Sequence, residues 1–566
     1  MTRFPQYPRR FRSDLTGIWD FEFISQNTAT LPDLDPEAVN YTEKQVVPGC
    51  FDAAGTHAGH RGIGVYRTSV QIPHDGKYRL ELGGLMLMGR IFLDGKEIGF
   101  DPYPFSGTAY EIEADAGRHE LVIAVENRVS VPYNPLFQAN YAFHTYAGIL
   151  RSVVLSDLPQ NHFGRASVTT LDVKSGLVRL DIEAPCASDG EFLAMTVQFD
   201  DGPAVTRNMT AENGVCSGEF TLPDPAPWTP ENPALHTVRL ILPDCADELV
   251  ERFGLRTIEA KNAKLYLNGE EVMLRGFNRH DSHPEFGNAV PAAIMLEDLQ
   301  ILRSMHCNFI RGCHYPQSQE FLDLCDEFGF LVWEEAIASG NTKDDLAYDV
   351  FRQRQLDQTA MMIRNSRNHP SVILWGFLNE VDSRLPEARE FIAEMVGNIK
   401  SFDTSRPVTC ASMYVGRGDI CLDLVDVISC NTYPGWYETY VYEENSHTHI
   451  GPRFDEVVKT VSTPELKDKP LILSELGAAA IYGYRDRSRV PWSEEFQADE
   501  LEETCRQLKL HPRFCGVAFW QFTDTRSYMR GGSNQARGFN NKGVLDEYRR
   551  EKLAAEVVRN AFAEYK

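Results

Sequence analysis

Eight short apolar runs between residues 272 and 524 restrict what this chain can fold into more than any other feature. They begin near Val272, Asn308, Phe330, Ser371, Pro407, Leu424, Pro470 and Gly516, and segments with the 3.6-residue period of helices separate most of them. A run that is apolar on both faces suits a strand covered from both sides, the condition of a parallel sheet. Alternation of such strands with helices predicts a parallel β/α architecture, and this number of them predicts a closed (β/α)₈ TIM barrel.

The ends of the runs carry the chemistry. Ser371 to Glu380 (SVILWGFLNE) is apolar until it stops at Asn379-Glu380, and Leu471 to Gly477 (LILSELG) stops at Glu475 with a glycine two residues on. A lone glutamate after a strand would simply cap the next helix, whose first turn favours an acid. Here two of them lie 95 residues apart, on the fourth and seventh runs, and a barrel brings both to its C-terminal mouth. Other runs finish in His280, His314, Glu334 with Glu335, Asn431 with Tyr433, and Trp520 with Asp524. A mouth of acids, amides, histidines and aromatic rings suits a sugar. Two glutamates across it equip the chain for glycoside hydrolysis, one protonating the leaving oxygen and the other attacking the anomeric carbon. A carboxyl separation of roughly 5 Å implies retention through a covalent glycosyl-enzyme, and a wider gap implies inversion by a bound water.

At these motifs the chain resembles glycoside hydrolase family 2, most closely its β-glucuronidase branch. Asn368-His369-Pro370-Ser371 leading into Asn379-Glu380 looks like that family's acid/base signature, and Ser474-Glu475-Leu476-Gly477 looks like its nucleophile segment. The resemblance implies Glu380 as general acid/base, Glu475 as nucleophile and Asn379 as donor to the sugar 2-hydroxyl. It extends to Phe277-Asn278-Arg279-His280 on the first run and to the His314-Tyr315-Pro316 turn on the second, placing His280 and His314 at the substrate. It puts Asn431 and Tyr433 beside the nucleophile and Tyr437 near the substrate carboxylate. A tyrosine hydroxyl donating to Glu475 would keep that carboxylate ionised and oriented. Trp520 is expected to be the platform for the sugar's apolar face, whereas Trp436 reads as core packing. Glu334 and Glu335 are given supporting roles, at the substrate or at an arginine such as Arg311.

After the last run, Asn540 and Lys542 resemble the Asn-x-Lys pair with which β-glucuronidases hold the C6 carboxylate. A carboxylate taken from water needs a cation and a donor, and a neutral hexose needs neither. Arg537 stands one residue off the place expected of that branch. The implied activity is exo-acting, retaining release of a terminal β-linked uronic acid. A family 2 β-galactosidase or β-galactofuranosidase acting on a neutral sugar is the alternative. An inactive carbohydrate-binding protein is the alternative of another class, and the intact glutamates argue against it.

Ahead of the barrel, assigned to 258–566, the chain reads as all-β. Residues 1–157 are expected to form a jelly-roll sandwich, whose closing motif Tyr146-Ala147-Gly148-Ile149-Leu150-Arg151 resembles, and 158–257 an immunoglobulin-like sandwich acting as a spacer. The β-glucuronidase branch usually has an acid four positions before that tyrosine; this chain has Ala142. The Pro-rich stretch PDPAPWTPENP is expected to be a loop inside the second sandwich. Between Glu335 and the fourth strand the connection reads as mostly one helix, with no inserted lid over the mouth.

A net charge of −25 and a pI near 5.1 disfavour nucleic acid and anionic membranes as partners. The basic N-terminal residues have no apolar segment behind them, so neither a secretory signal nor a membrane span is expected. Twelve cysteines without CxxC pairs suggest reduced thiols and a cytoplasmic location. His280, Asp281 and His283 are of metal-ligating type, but Pro284 spoils a helical ligand spacing, and no metal or cofactor is expected. The partner is expected to be a small glycoside or oligosaccharide, and the family resemblance implies a homodimer or homotetramer.

Overall fold

A computed structural model describes residues 4–25, 29–129, 143–242, 246–437, 446–527 and 536–565. All eight expected strands are present: β1 (Leu274–Arg279), β2 (Phe309–Gly312), β3 (Leu331–Glu335), β4 (Val372–Gly376), β5 (Val408–Ser412), β6 (Val427–Asn431), β7 (Leu471–Glu475) and β8 (Phe514–Phe519). Neighbours pair in parallel, and β8 returns to β1 with Gly516 opposite Leu274, so the barrel closes. From β3 to β8 every strand residue is buried, because one face fills the barrel and the other meets the helices. Those helices are α1 (Ala292–Ser304), α2 (Gln319–Phe328), α3 (Lys343–Leu346), α4 (Asp349–Ser366), α5 (Pro386–Phe402), α6 (Ile450–Thr460), α7 (Glu494–Leu510) and α8 (Leu553–Ala563).

One detail departs from the sequence reading and another adds to it. The single helix expected between Glu335 and β4 is two, since Thr342 and Asp345 form a capping box that starts α3, which ends at Leu346 before α4 begins. Residues 258–272 do not belong to the barrel wall. They form a three-stranded antiparallel sheet (Ile258–Lys261, Lys264–Leu267, Glu270–Val272) that packs Ile258, Leu265 and Leu267 against Leu274, Phe309, Leu374 and Ile472. That plug shuts the barrel's N-terminal end and leaves the opposite end as the mouth.

The first sandwich sets a six-stranded sheet, which includes Gly17–Ser25, Gly62–Ile72 and Gly117–Glu126, against a four-stranded one with Gly76–Leu82 and Val153–Asp157. Trp19, Phe21, Tyr66, Tyr78, Leu80 and Ile123 fill its core, and the architecture is the jelly roll expected. The second sandwich has seven strands between Ala166 and Phe253 around Val178, Leu180, Met195, Val197, Leu240 and Phe253, an immunoglobulin-like arrangement.

Arginines fasten these parts to the barrel. Arg151, at the end of the closing motif, donates to the carbonyl of Pro316 at 2.9 Å, and Phe105 of the first sandwich stacks on Tyr315 at 3.7 Å. Buried Arg256 donates to the carbonyls of Pro370 and Val372, just where β4 begins. The Pro-rich stretch is a loop of the second sandwich, but Trp228 within it is fully buried against the barrel and donates Nε1 to the Asp326 carbonyl at 2.9 Å. Among the described residues no helix is long and apolar enough to cross a membrane, and the described cysteines are free and mostly buried. Ala142 lies outside the described residues.

Candidate active site

A cavity of about 640 Å³ opens at the C-terminal ends of the barrel strands. Glu380, Glu475, His314, Asn379, Asn431, Tyr433, Tyr437, Trp520, Asn540 and Lys542 all line it, from the ends of five different strands and the chain beyond them. Of the residues the sequence assigns to catalysis or direct substrate contact, only His280 does not. Fully buried Trp333 sits where a Gly376 side chain would have to go, so β4 must end small there. Glu380 is therefore not the last strand residue. The chain reaches it through an irregular turn in which Leu378 (φ 49°) and Glu380 (φ 54°) both take left-handed backbone, a strain of about 1–3 kcal/mol each that the surroundings must hold. Asn379 N–H donates to Ala338 at 3.0 Å and Glu380 N–H to Ala411 at 2.9 Å, tying the turn to the chain beyond β3 and to β5.

Glu475 ends β7, and two donors orient it. Arg311 Nη1 donates to Oε1 at 2.7 Å and the Tyr433 hydroxyl to Oε2 at 2.6 Å, so both carboxylate oxygens are engaged by charge-assisted bonds. Arg311, fully buried in β2, is the hub of the site. Its fork also reaches Glu335 on β3 at 2.9 and 3.1 Å, Asn278 on β1 at 3.0 Å and Asn379 at 2.8 Å, and its plane lies over the Trp333 ring. Burial alone would raise the Glu335 carboxyl; the Arg311 guanidinium and His314 overcome it and hold Glu335 below its ordinary value. Sequence reading offered Glu334 and Glu335 as equals. Successive strand residues point to opposite faces, so Glu335 faces the barrel interior while Glu334 accepts from the Gln317 N–H at 2.9 Å.

Glu380 has the opposite electrostatics. Its carboxyl is pushed up to about 7, first by burial and then by the charge of Glu475 across the cavity, while a hydrogen bond from Asn431 Nδ2 at 2.9 Å opposes the shift. One carboxyl gripped by a guanidinium and a hydroxyl, beside another pushed toward its protonated form, is the division of labour that acid-assisted bond cleavage needs. The expected profile of kcat/KM therefore falls as pH rises past about 7, because the acting form of Glu380 is the protonated one. A rate that keeps climbing well beyond that point would exclude Glu380 as the acid.

Asn431 also approaches Asn379 Oδ1 at 3.2 Å and accepts from Ser474 Oγ at 2.7 Å, which fixes its amide orientation. On the far wall Lys542 Nζ donates to the Tyr437 hydroxyl at 2.7 Å. Lys542 is only 5% exposed, yet no carboxylate pairs with it among the described residues. The turn that carries it is pinned from behind: Asp524 accepts from Gly543 N–H and Asn541 Nδ2 and pairs with buried Lys552 at 2.8 Å. Trp520 lines the cavity with the His314 ring stacked against it at 5.3 Å.

His280 sits one layer back. Its ring meets Trp520 edge-on, its Nδ1 is 3.2 Å from the Tyr315 hydroxyl, and burial lowers its pKa far enough to keep it neutral. Arg537 faces away, paired with Glu547 at 3.2 Å. Trp436 is buried with Ala478, Ala479 and Phe496, as core packing requires. His280, Cys313 and His314 bring ligand atoms within 4.8 Å, but burial holds the thiol protonated and Arg311 lies beside them, which disfavours a cation there. In the other such group, Asp323, Asp326 and His369, Arg252 already supplies the positive charge. Ser339, Gly340, Met413, Arg417 and Thr432 also line the cavity, and no motif in the sequence marked them.

A closed parallel barrel behind two β-sandwiches, with paired glutamates at its mouth, defines the architecture of a multidomain glycosidase. The sequence profile "Glycosyl hydrolases family 2, TIM barrel domain" matches residues 258–566, and "Glycosyl hydrolases family 2" matches 164–256. This chain belongs to glycosyl hydrolase family 2. It is 31% identical to a family 2 β-galacturonidase from Eisenbergiella tayi whose crystal structure holds galacturonate, with a TM-score of 0.89 over 100% of both chains. It is 27% identical to the β-glucuronidase of Streptococcus agalactiae over 95% of this chain and 94% of that one. It is 30% identical to the rat β-glucuronidase over 75% of this chain, a match that spans 65% of that longer relative.

Proposed function

We propose that the chain is an exo-acting, retaining β-uronidase that hydrolyses a terminal β-linked glucuronide or galacturonide. The observation that carries this reading is the buried ammonium of Lys542, without a carboxylate partner among the described residues, on the wall of the cavity that holds Glu380 and Glu475. A uronate carboxylate supplies the missing charge, and a neutral hexose leaves the ammonium uncompensated. The relatives support the class, since one binds galacturonate and others are β-glucuronidases.

In the proposed reaction a Glu475 oxygen attacks the anomeric carbon as the bond to the leaving oxygen breaks, and the Glu380 proton passes to that oxygen. Glu380, now a carboxylate, takes a proton from water as the water oxygen attacks the same carbon, and the bond to Glu475 breaks. Asn379, its Oδ1 held by Arg311, presents its amide toward the sugar, and Trp520 underlies the ring. The same proposal includes a cytoplasmic location, supported by the free cysteines, and assembly as a dimer or tetramer, supported by the family resemblance alone.

Rates on nitrophenyl β-glucuronide, β-galacturonide, β-glucoside and β-galactoside test the substrate class. The uronides are expected to be cleaved faster by about 100-fold or more, the value of one buried charge pair. Faster cleavage of a neutral sugar overturns the reading. Proton NMR during turnover is expected to show the β-anomer of the sugar first, followed by mutarotation; initial α-anomer would mean inversion.

A further inference from the structure

A second cavity, of about 430 Å³, lies where the two sandwiches meet the outside of the barrel, and it shares no lining residue with the cavity at the mouth. Arg12 and Arg79 of the first sandwich, Arg165 of the second and Arg364 of α4 converge on it, with Tyr7 and Tyr110 beside them. Glu81 is the one acid among the lining residues. Apart from Arg364, which Glu183 pairs from outside the lining, three guanidiniums share that one carboxylate in a chain whose net charge is −25.

The pairing of these arginines is incomplete. Arg364 is spoken for, since Glu183 accepts from it at 3.1 and 2.6 Å. Arg79 is 12% exposed, its Nε is buried with no hydrogen-bond partner, and it approaches Glu81 only to 3.5 Å. Among the described residues neither Arg12 nor half-buried Arg165 has an ion pair within 4.0 Å, although the charge of Arg165 does act on the more distant Glu183 and Glu251. The charges of Arg165, Arg10, Glu81 and Arg79 all act on the Tyr7 hydroxyl. Like charges gathered in a partly desolvated cleft, with donors left unmade, are costly unless an anion completes them. Arginine forks match the planar or tetrahedral oxygens of carboxylate and phosphate; the half-buried Tyr110 ring lines the cleft as well, whereas Arg10 already covers one face of Tyr7. The volume falls in the range of small-molecule sites.

We propose that this cleft binds an oxyanion carried on a sugar ring, a uronate or a sugar phosphate, at a site separate from the barrel mouth. The proposal does not depend on what the barrel cleaves. Calorimetric titration of the full chain with glucuronate, with glucose 6-phosphate and with glucose tests it. At least one of the two acids is expected to bind, glucose to bind far more weakly, and Arg165→Ala to weaken the acid by about tenfold or more, the worth of a charge-assisted contact. Thermal stability and turnover of whichever nitrophenyl glycoside the chain cleaves are expected to stay unchanged in that variant. The acid that binds tighter identifies the source. Should Arg165→Ala fail to fold, Arg12→Ala, at an exposed position, gives the same readout. Binding that survives both substitutions, binding abolished instead by Lys542→Ala, equal binding of glucose, or no binding at millimolar acid overturns the proposal. A failure of the uronidase reading would show in the glycoside panel, and repeating the titrations in the Lys542→Ala background, where uronate binding at the barrel mouth is weakened, keeps the two outcomes apart.

Discussion

Replacing Glu475 with Gln is expected to lower kcat by roughly four orders of magnitude or more while leaving the fold intact. Gln keeps the size of the side chain and one acceptor oxygen, so a bond from Arg311 or from the Tyr433 hydroxyl can still form. What it loses is the negative charge that attacks the anomeric carbon. It also loses the charge that helps keep Glu380 protonated, so the acid is expected to titrate lower in the variant. The measurement is steady-state turnover of the best nitrophenyl uronide, with thermal unfolding as the control for structure. Near-normal turnover with normal unfolding would remove Glu475 from the reaction. A large loss accompanied by a lowered unfolding temperature would instead point to the Arg311 network, because stripping one partner from a buried ion pair leaves the other uncompensated.

The barrel was legible because strands buried on both faces must be apolar throughout, and few other architectures require that eight times over. The positions of Glu380 and Glu335 show where such legibility ends. A sequence run places Glu380 at the end of a strand, yet the strand stops at Gly376, which must be glycine because Trp333 occupies the space beside it, and the left-handed turn that follows has no compositional mark. Glu334 and Glu335 could have been separated by strand alternation alone, but only once the face belonging to the barrel interior is known. Arg311 looked like a minor partner in the sequence, since its role comes from contacts with four other strands and turns that are distant in the chain. His280 moved behind Trp520 for a related reason: the residue after β1 turns its ring toward Tyr315, and the Phe143 ring packs against it from the first sandwich. Ser339, Gly340, Met413 and Arg417 come from connections that follow strands, where spacing carries no periodic signal.

Lys542→Ala separates the reading of the sugar from the reading of the reaction. The ammonium sits on a turn fixed through Asp524 and Lys552, with Tyr437 as its hydrogen-bond partner and the Tyr437 and Trp436 rings 4.6 and 5.7 Å away. Nothing in that support depends on the ammonium itself, so its removal is expected to leave the glutamates in place. A uronide bound to the variant would bury its carboxylate without a cation, at a cost of about 3–5 kcal/mol, or roughly two to three orders of magnitude in kcat/KM. A matched neutral glycoside carries no charge to this wall and is expected to lose less than about fivefold, within the range of a lost packing contact. The ratio of the two losses, measured on the same preparation, cancels any general damage to the site. Equal losses would mean that Lys542 supports the fold of the mouth and not the choice of sugar, and the substrate class would then have to be sought on the opposite wall, where Arg417 lines the cavity beside Glu380.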